Sequence, residues 1–106
     1  MGFGDYQKQV DDWARQFNPP YWPILEQLAS LTEELGELSR EITHRYGIKR
    51  KKQEEKDNTI GQELADMLFT ICCIANTGGI NLDEEFQRHM REKEYGRDAN
   101  RFERKD

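Results

Sequence analysis

Two pairs of acidic residues are spaced one helical turn apart. Glu34 and Glu37 stand in the segment EELGE, and Glu63 and Asp66 stand in the segment ELAD. A set of carboxylate oxygens without histidine suits a hard divalent cation, Mg²⁺ or Mn²⁺. A cation held in this way keeps coordination positions for water and phosphate oxygens, as metal-assisted phosphoryl chemistry requires. The same acids could instead form the solvated face of an amphipathic helix, and a single pair does not separate the two interpretations.

Four helices must position these acids, because apolar residues recur at helical spacing in four stretches and no stretch alternates as a strand would. The predicted helices run from about Asp5 to Phe17, from about Trp22 to Tyr46, from Asn58 or Thr59 to Thr77-Gly78-Gly79, and onward from residues 81–83. The connection between the second and third helices is shorter than either helix, so these two are expected to run antiparallel. The sequence therefore predicts an all-α four-helix bundle.

The phase of the acids relative to the apolar stripe predicts where they meet. The stripe of the second helix is Ile24, Leu28, Leu31, Leu35, Leu38 and Ile42. At about 100° per residue, Glu34 and Glu37 lie roughly 80° and 140° from the stripe centre, whereas Glu33 faces away from it. Glu63 and Asp66 lie on the same flank of the third helix. If the two stripes pack together, the four acids converge along one edge, where they repel one another unless a cation lies between them.

Composition and charge narrow the class of protein. The chain has 106 residues and a net charge of -5. A single domain over residues 1–106 is expected, with its core at about 22–90 and a charged tail at about 95–106. A core of this size is modest, so self-association would stabilise it. The acidic balance argues against nucleic-acid binding, and no apolar run is long enough to span a membrane. The adjacent Cys72 and Cys73 fit a reducing, cytoplasmic setting.

The two acidic motifs and their spacing resemble those of a known family. EELGE, followed after 25 residues by ELAD, resembles the EExxE…ExxD signature of the all-α MazG-like nucleoside triphosphate pyrophosphohydrolases. The likeness extends over about residues 22–90 and includes the segment GINLDEEF. It implies Mg²⁺-dependent cleavage (Mn²⁺ being an alternative metal) between the α- and β-phosphates of a nucleoside triphosphate, which yields a monophosphate and pyrophosphate. It also implies a house-cleaning role in the nucleotide pool and a bundle completed as a homodimer or homotetramer.

The resemblance assigns roles to individual residues. Carried over by position, Glu34, Glu37, Glu63 and Asp66 are the metal ligands and catalytic carboxylates, one of which serves as base for an attacking water. Glu33 matches the first acid of the signature and is expected to support the ligands rather than bind the metal.

Positions outside the signature are candidates for substrate binding. Trp22 precedes the second helix where family members carry base-stacking aromatics, although it could equally pack the first helix on the bundle. Thr70 lies on the acid flank one turn after Asp66, as a pocket wall or a surface threonine. Lys93 and Arg97 match the family's phosphate-binding cluster loosely. The basic run at residues 49–52 is a solvated loop or a lid over the polyphosphate.

Two other classes of protein remain open from the sequence. A helical dimerisation or adaptor protein would use its acids only for solubility and would bind no divalent cation. A carboxylate-bridged iron protein requires two Glu-x-x-His pairs. The sequence contains one, Glu41 with His44, which lies beyond the acid pairs near the end of the second helix.

Overall fold

The computed structural model describes residues 2–47 and 59–95, which form four helices. The helices are α1 (Phe3–Ala14), α2 (Ile24–Tyr46), α3 (Ile60–Gly78) and α4 (Leu82–Tyr95). The described residues contain no strand, so the all-α prediction is confirmed. The basic run 49–52, Arg97 and the predicted tail beyond Tyr95 lie outside the described residues.

Local sequence sets the ends of α3. Thr59 forms a capping box, in which its Oγ1 accepts from the backbone N–H of Gln62 at 3.0 Å and its own N–H donates to Oε1 of Gln62 at 2.8 Å. Such reciprocal bonds satisfy backbone donors that the first helical turn leaves without partners. At the other end Gly79 adopts the left-handed conformation with φ 65°, which only glycine adopts without steric cost. The predicted start and stop of this helix are therefore correct to within a residue.

The other predicted helix ends differ slightly from the structure. Helix α1 begins at Phe3 and ends at Ala14, two residues before the predicted start and three before the predicted end. Helix α2 begins at Ile24 rather than at Trp22, because Pro23 has an extended backbone with ψ 148°. Trp22 consequently lies in the segment that joins α1 to α2.

Helices α2 and α3 run antiparallel, as predicted. The side chain of Gln27, near the start of α2, reaches Thr77 near the end of α3. Further along α2, Glu34 meets Thr70, which precedes Thr77 in α3. The reversed order of these contacts establishes the antiparallel arrangement.

The prediction that the apolar stripe of α2 packs against α3 is only partly right, because of its six residues only Leu31 and Leu38 are half-buried. The other four remain about half exposed: Ile24 (48%), Leu28 (53%), Leu35 (54%) and Ile42 (42%). In their place α2 turns polar residues toward α3, and Gln27 and Glu41 are buried there. The buried apolar residues among those described are small, namely Ala14, Cys72 and Ala75. The exposed part of the leucine stripe is therefore an apolar surface that the single chain does not cover.

Helix α1 packs against both α3 and α4. The carboxylate of Asp83, in the first turn of α4, accepts hydrogen bonds from the backbone N–H groups of Phe3 at 2.8 Å and Gly4 at 2.9 Å. The ring of Phe3 also meets the ring of Phe86 edge-on, with centroids 5.3 Å apart. Phe86 is 45% exposed, because it packs on the end of α1 rather than inside the bundle.

No single helix among residues 2–47 and 59–95 is long and apolar enough to cross a membrane. Helices α3 and α4 reach the required length and composition only when taken together, and a bend of 105° separates them.

The Asp83 contact gives the first prediction. Replacing Asp83 with Ala removes a charged acceptor from the two N-terminal backbone donors of α1, so we expect the free energy of unfolding to fall by about 1–2 kcal/mol. Urea denaturation followed by circular dichroism measures this change. The control is Glu94→Ala at an exposed position of α4, which should change stability by less than about 0.5 kcal/mol. Equal stability of the two variants would contradict the role given to Asp83.

Candidate active site

Polar residues at heptad spacing form the contact between α2 and α3, and we call this set the polar seam. It consists of Gln27, Glu34 and Glu41 on α2 and Glu63, Thr70 and Thr77 on α3. Side chains seven residues apart lie on the same face of a helix, after almost two full turns. The three residues of each helix therefore follow one another along the contact between α2 and α3. Because the helices are antiparallel, the residues pair in layers: Gln27 with Thr77, Glu34 with Thr70, and Glu41 with Glu63.

The acidic layer centres on Glu63, whose side chain is only 2% exposed. Its Oε2 is buried without a hydrogen-bond partner among the described residues. Burial raises the pKa of Glu63, and a hydrogen bond with Glu37 together with the charges of Glu37, Asp66 and Glu41 raises it further. A buried carboxyl group surrounded by other acids cannot be part of a solvated helix face, so this alternative is excluded for Glu63.

The middle layer holds Glu34 by a short hydrogen bond. The hydroxyl of Thr70, which is 6% exposed, donates to Oε1 of Glu34 at 2.5 Å. Partial burial raises the pKa of Glu34, the Thr70 hydrogen bond opposes that rise, and the charges of Asp66 and Glu37 add to it. Thr70 is thus not a surface threonine, because it is buried and its hydroxyl fixes one oxygen of a predicted ligand.

The structure brings the four predicted ligands into one electrostatic group, although not in the predicted place. Glu34 and Glu63 lie within the contact between the helices, whereas Glu37 and Asp66 are exposed beside it. The acids therefore extend from inside the polar seam to its rim rather than along an outer edge. Glu33 is exposed, in agreement with its predicted phase.

The oxygen atoms of the acids are of the type that binds a hard divalent cation, but their side chains do not surround a common point as metal ligands do. Among the described residues, no three Asp, Glu, His or Cys side chains surround one point closely enough to hold a metal. Carboxylates with no cation between them repel one another, which favours more distant side-chain positions. Glu63 Oε2 is a buried oxygen that lacks a partner, and a cation would provide one. An all-oxygen donor set matches Mg²⁺ or Mn²⁺.

A cleft of about 530 Å³ opens beside the acids. Its walls are mostly apolar and aromatic, lined by Trp13, Ala14, Phe17, Pro19, Pro20, Tyr21, Trp22, Gln27, Ser30, Glu34, Phe69, Thr70 and Cys73. Two predicted substrate-binding residues, Trp22 and Thr70, are among them, and Trp22 is 65% exposed. Glu34 belongs both to the cleft and to the acidic group, so the cleft leads directly to the carboxylates.

Trp13 and Phe17 have a role that the sequence did not indicate. Their two rings pack edge-on with centroids 5.0 Å apart, and Trp13 also meets the ring of Phe69 at 5.6 Å. Both are nevertheless 52% exposed and line the cleft. The density of aromatic residues between positions 13 and 22 was the available signal.

A hydrogen-bond network holds the segment that carries Tyr21 and Trp22. The hydroxyl of Tyr21 donates to Oδ1 of Asp11 at 2.5 Å and accepts from Nδ2 of Asn76 at 3.1 Å. Burial and the hydrogen bond to Asp11 raise the pKa of Tyr21 to about 12, so its hydroxyl keeps its proton beyond the pH range in which tyrosine ordinarily ionises. The network therefore ties the cleft wall to both α1 and α3.

The predicted phosphate contacts are less well placed. Lys93 is half-buried on α4 and is not among the residues that line the cleft. Arg97 lies outside the described residues, so its predicted role stays a prediction.

Comparison with known proteins supplies the family context. The model of the MazG nucleotide pyrophosphohydrolase domain matches residues 24–102. YpjD of Bacillus subtilis is 45% identical over 102 residues, covering 96% of this chain and 91% of that protein. The crystal structure of YpjD superposes with a TM-score of 0.77 at 43% identity, covering 87% of this chain and 94% of that chain. The Bacillus-conserved MazG protein, a nucleotide pyrophosphohydrolase, gives a TM-score of 0.73 at 35% identity, covering 100% of this chain and 94% of that chain.

The raised pKa of Glu63 predicts an unusual dependence of stability on pH. Because the folded state binds this proton more tightly than the unfolded state, the free energy of unfolding should decrease as pH rises above the ordinary glutamate value of about 4.3. The decrease ends at the folded-state pKa. Thermal melting in the presence of a chelator measures this trend.

Two variants locate the source of this pH dependence. Glu63→Gln should flatten the decrease, whereas the matched change Glu33→Gln at an exposed position should leave it intact. Stability that rises with pH in metal-free wild-type protein over this range would contradict the assignment.

Proposed function

Since the chain belongs to the family of MazG nucleotide pyrophosphohydrolase domains, we propose that it cleaves nucleoside triphosphates between the α- and β-phosphates in a Mg²⁺-dependent reaction. The products are a nucleoside monophosphate and pyrophosphate. The observation that carries the proposal is the position of Glu34, which lines the aromatic cleft and also belongs to the acidic group. A nucleoside in the cleft would then direct its phosphates toward the carboxylates.

The cleft supplies the nucleoside site. Its exposed indole, Trp22, presents an aromatic face on which a base can stack, and Trp13 and Phe69 provide further apolar wall. Stacking of this kind tolerates all bases, because each has a π-face. The volume of about 530 Å³ is in the usual range for a small-molecule site.

The acidic group supplies the phosphate site. Glu34, Glu37, Glu63 and Asp66 would hold Mg²⁺, with Mn²⁺ as an alternative. A divalent cation bound there would neutralise charge on the phosphates and lower the pKa of water. Without a cation, four carboxylates and a polyphosphate would repel one another, so an acidic protein of this kind requires the metal for its substrate.

The acidic residues and Thr70 have different roles in the proposed reaction. The hydrogen bond from Thr70 fixes the carboxylate of Glu34, and the packing of α2 on α3 fixes the carboxyl group of Glu63. Both groups are therefore held in place before substrate arrives. Glu37 and Asp66 are exposed and can reach both solvent and phosphate. One carboxylate of the group takes the proton from the attacking water.

We further propose a house-cleaning role in the cytoplasmic nucleotide pool. The cleft is lined mainly by apolar and aromatic groups, which favours recognition of a base by stacking over exclusive recognition of one base. Deoxynucleotides and non-standard nucleotides are the substrates to be tested first.

The proposed enzyme is a homodimer or homotetramer. The leucine stripe of α2 leaves Leu28 and Leu35 more than half exposed, and contiguous apolar surface of this kind on a soluble protein marks an interaction site. A second copy of the chain supplies a complementary stripe, and pairing of the two buries both.

Substitution of the acidic group tests the catalytic proposal. Glu63→Gln and Asp66→Asn should each lower the rate of pyrophosphate release by more than about 100-fold, because even residues that only support metal ligands contribute 10- to 100-fold. Glu84→Gln, at an exposed position of α4 outside the group, should keep the wild-type rate within a few-fold. Pyrophosphate and orthophosphate are measured separately over a panel of nucleotides. Retained turnover in both acid variants, or release of orthophosphate alone, would contradict the proposal.

Substitution of the stripe tests the assembly. Leu35→Glu places a charge in the proposed interface and should shift the protein toward smaller species in sedimentation velocity. Leu25→Glu is the matched control, since Leu25 is 74% exposed and lies off the stripe. A wild-type protein that sediments as a monomer, or equal dissociation of both variants, would contradict the proposed interface.

A further inference from the structure

We propose that Gln27 reads the base, through its carboxamide oxygen, by accepting a hydrogen bond from a ring N–H or exocyclic amino group. The inference rests on the proposed function, because it places the base in the aromatic cleft that Gln27 lines. Gln27 was not among the substrate-binding residues predicted from the sequence. It is buried, with 5% exposure, at the end of the polar seam away from Glu63.

The hydrogen bonds around Gln27 fix which way its amide points. Nε2 donates to the carbonyl oxygen of Trp22 at 2.7 Å and to Oγ1 of Thr77 at 2.9 Å. The carbonyl can only accept. The hydroxyl of Thr77 donates its own hydrogen to the carbonyl oxygen of Cys73 at 2.8 Å, so toward Gln27 it also accepts. Both neighbours therefore require the nitrogen, and a flipped amide would face two acceptors with its oxygen.

The oxygen of this amide is left without a partner. Oε1 of Gln27 is buried and receives no hydrogen bond from the described residues. A buried acceptor in this state is destabilising, and such groups in native proteins call for an explanation. A donor on a bound base would satisfy it. Because two acceptors hold the nitrogen of Gln27, its amide does not readily flip. The site therefore offers the base a hydrogen-bond acceptor, not a donor.

The oxygen is covered in this structure, so a base reaches it only when a neighbouring side chain of the cleft moves aside. Trp22 is the side chain best suited to move, being 65% exposed and taking part in none of the ring–ring contacts of the described residues. Its backbone carbonyl, however, stays bonded to Gln27. A base that stacks on the indole would in this way be guided toward the amide oxygen.

Removing the donor from the substrate tests the inference. Cytidine and uridine triphosphates are compared with the 2-pyrimidinone nucleotide, and adenosine triphosphate with the purine nucleotide, since neither comparison base carries a ring N–H or amino group. In the wild-type enzyme, loss of the donor should lower kcat/KM by about 10- to 100-fold, as expected when a substrate fails to pair a buried polar group. In Gln27→Met the same loss should change kcat/KM by less than about 3-fold.

The ratio between matched substrates separates recognition from a structural role. A variant that merely distorts the cleft lowers turnover of both members of a pair and leaves their ratio unchanged. Gln87→Met, at an exposed position of α4 outside the cleft, should retain the wild-type ratio. Equal turnover of paired substrates by the wild-type enzyme overturns the inference even if the Gln27 variant fails to fold. Absence of turnover on every triphosphate overturns the proposed function itself.

Discussion

The burial of a carboxyl group between two antiparallel helices is the constraint on which the rest of the structure depends. Glu63 sits in the polar seam almost without exposure, beside other acids, and one of its oxygens has no partner among the described residues. Such an arrangement is unfavourable for the single chain by itself. A cation bound in the seam would give the buried oxygen a partner and would remove the repulsion between the acids.

The polar seam also explains the unusual distribution of apolar residues. Since α2 presents Gln27, Glu34 and Glu41 to α3, most of its leucine stripe points elsewhere and remains about half exposed. The fold thus places polar groups where an apolar contact within the chain would otherwise lie, and the exposed leucines are the surface that we propose a second copy covers. The three layers of the polar seam have different surroundings from one end to the other. The Gln27 end adjoins the aromatic cleft, the middle fixes Glu34, and the Glu63 end gathers the acids, which matches the succession of base, sugar and phosphates in a nucleotide.

The sequence alone predicted the helices, their antiparallel order and the family, because these follow from helical periodicity, a short connection and a spaced pair of acidic motifs. It did not predict which face of α2 meets α3. A helical wheel gives the relative phase of residues, and it does not tell whether an apolar stripe is covered by the same chain or by another. The heptad recurrence of Gln27, Glu34 and Glu41 was present in the sequence and would have indicated the polar contact. The partnerless oxygen of Gln27 could not have been inferred, because it depends on where Thr77 directs its hydroxyl.

Calorimetric titration of the wild-type protein with Mn²⁺ tests the central claim most directly, if it is repeated in buffers of different ionisation enthalpy at pH about 5, just above the ordinary glutamate pKa. Carboxyl groups whose pKa is raised in the metal-free protein must lose protons when a cation binds. We therefore predict saturable binding, with a heat that varies with the buffer because protons are released. Absence of saturable binding, or binding without proton release, would contradict the view that the polar seam is a cation site.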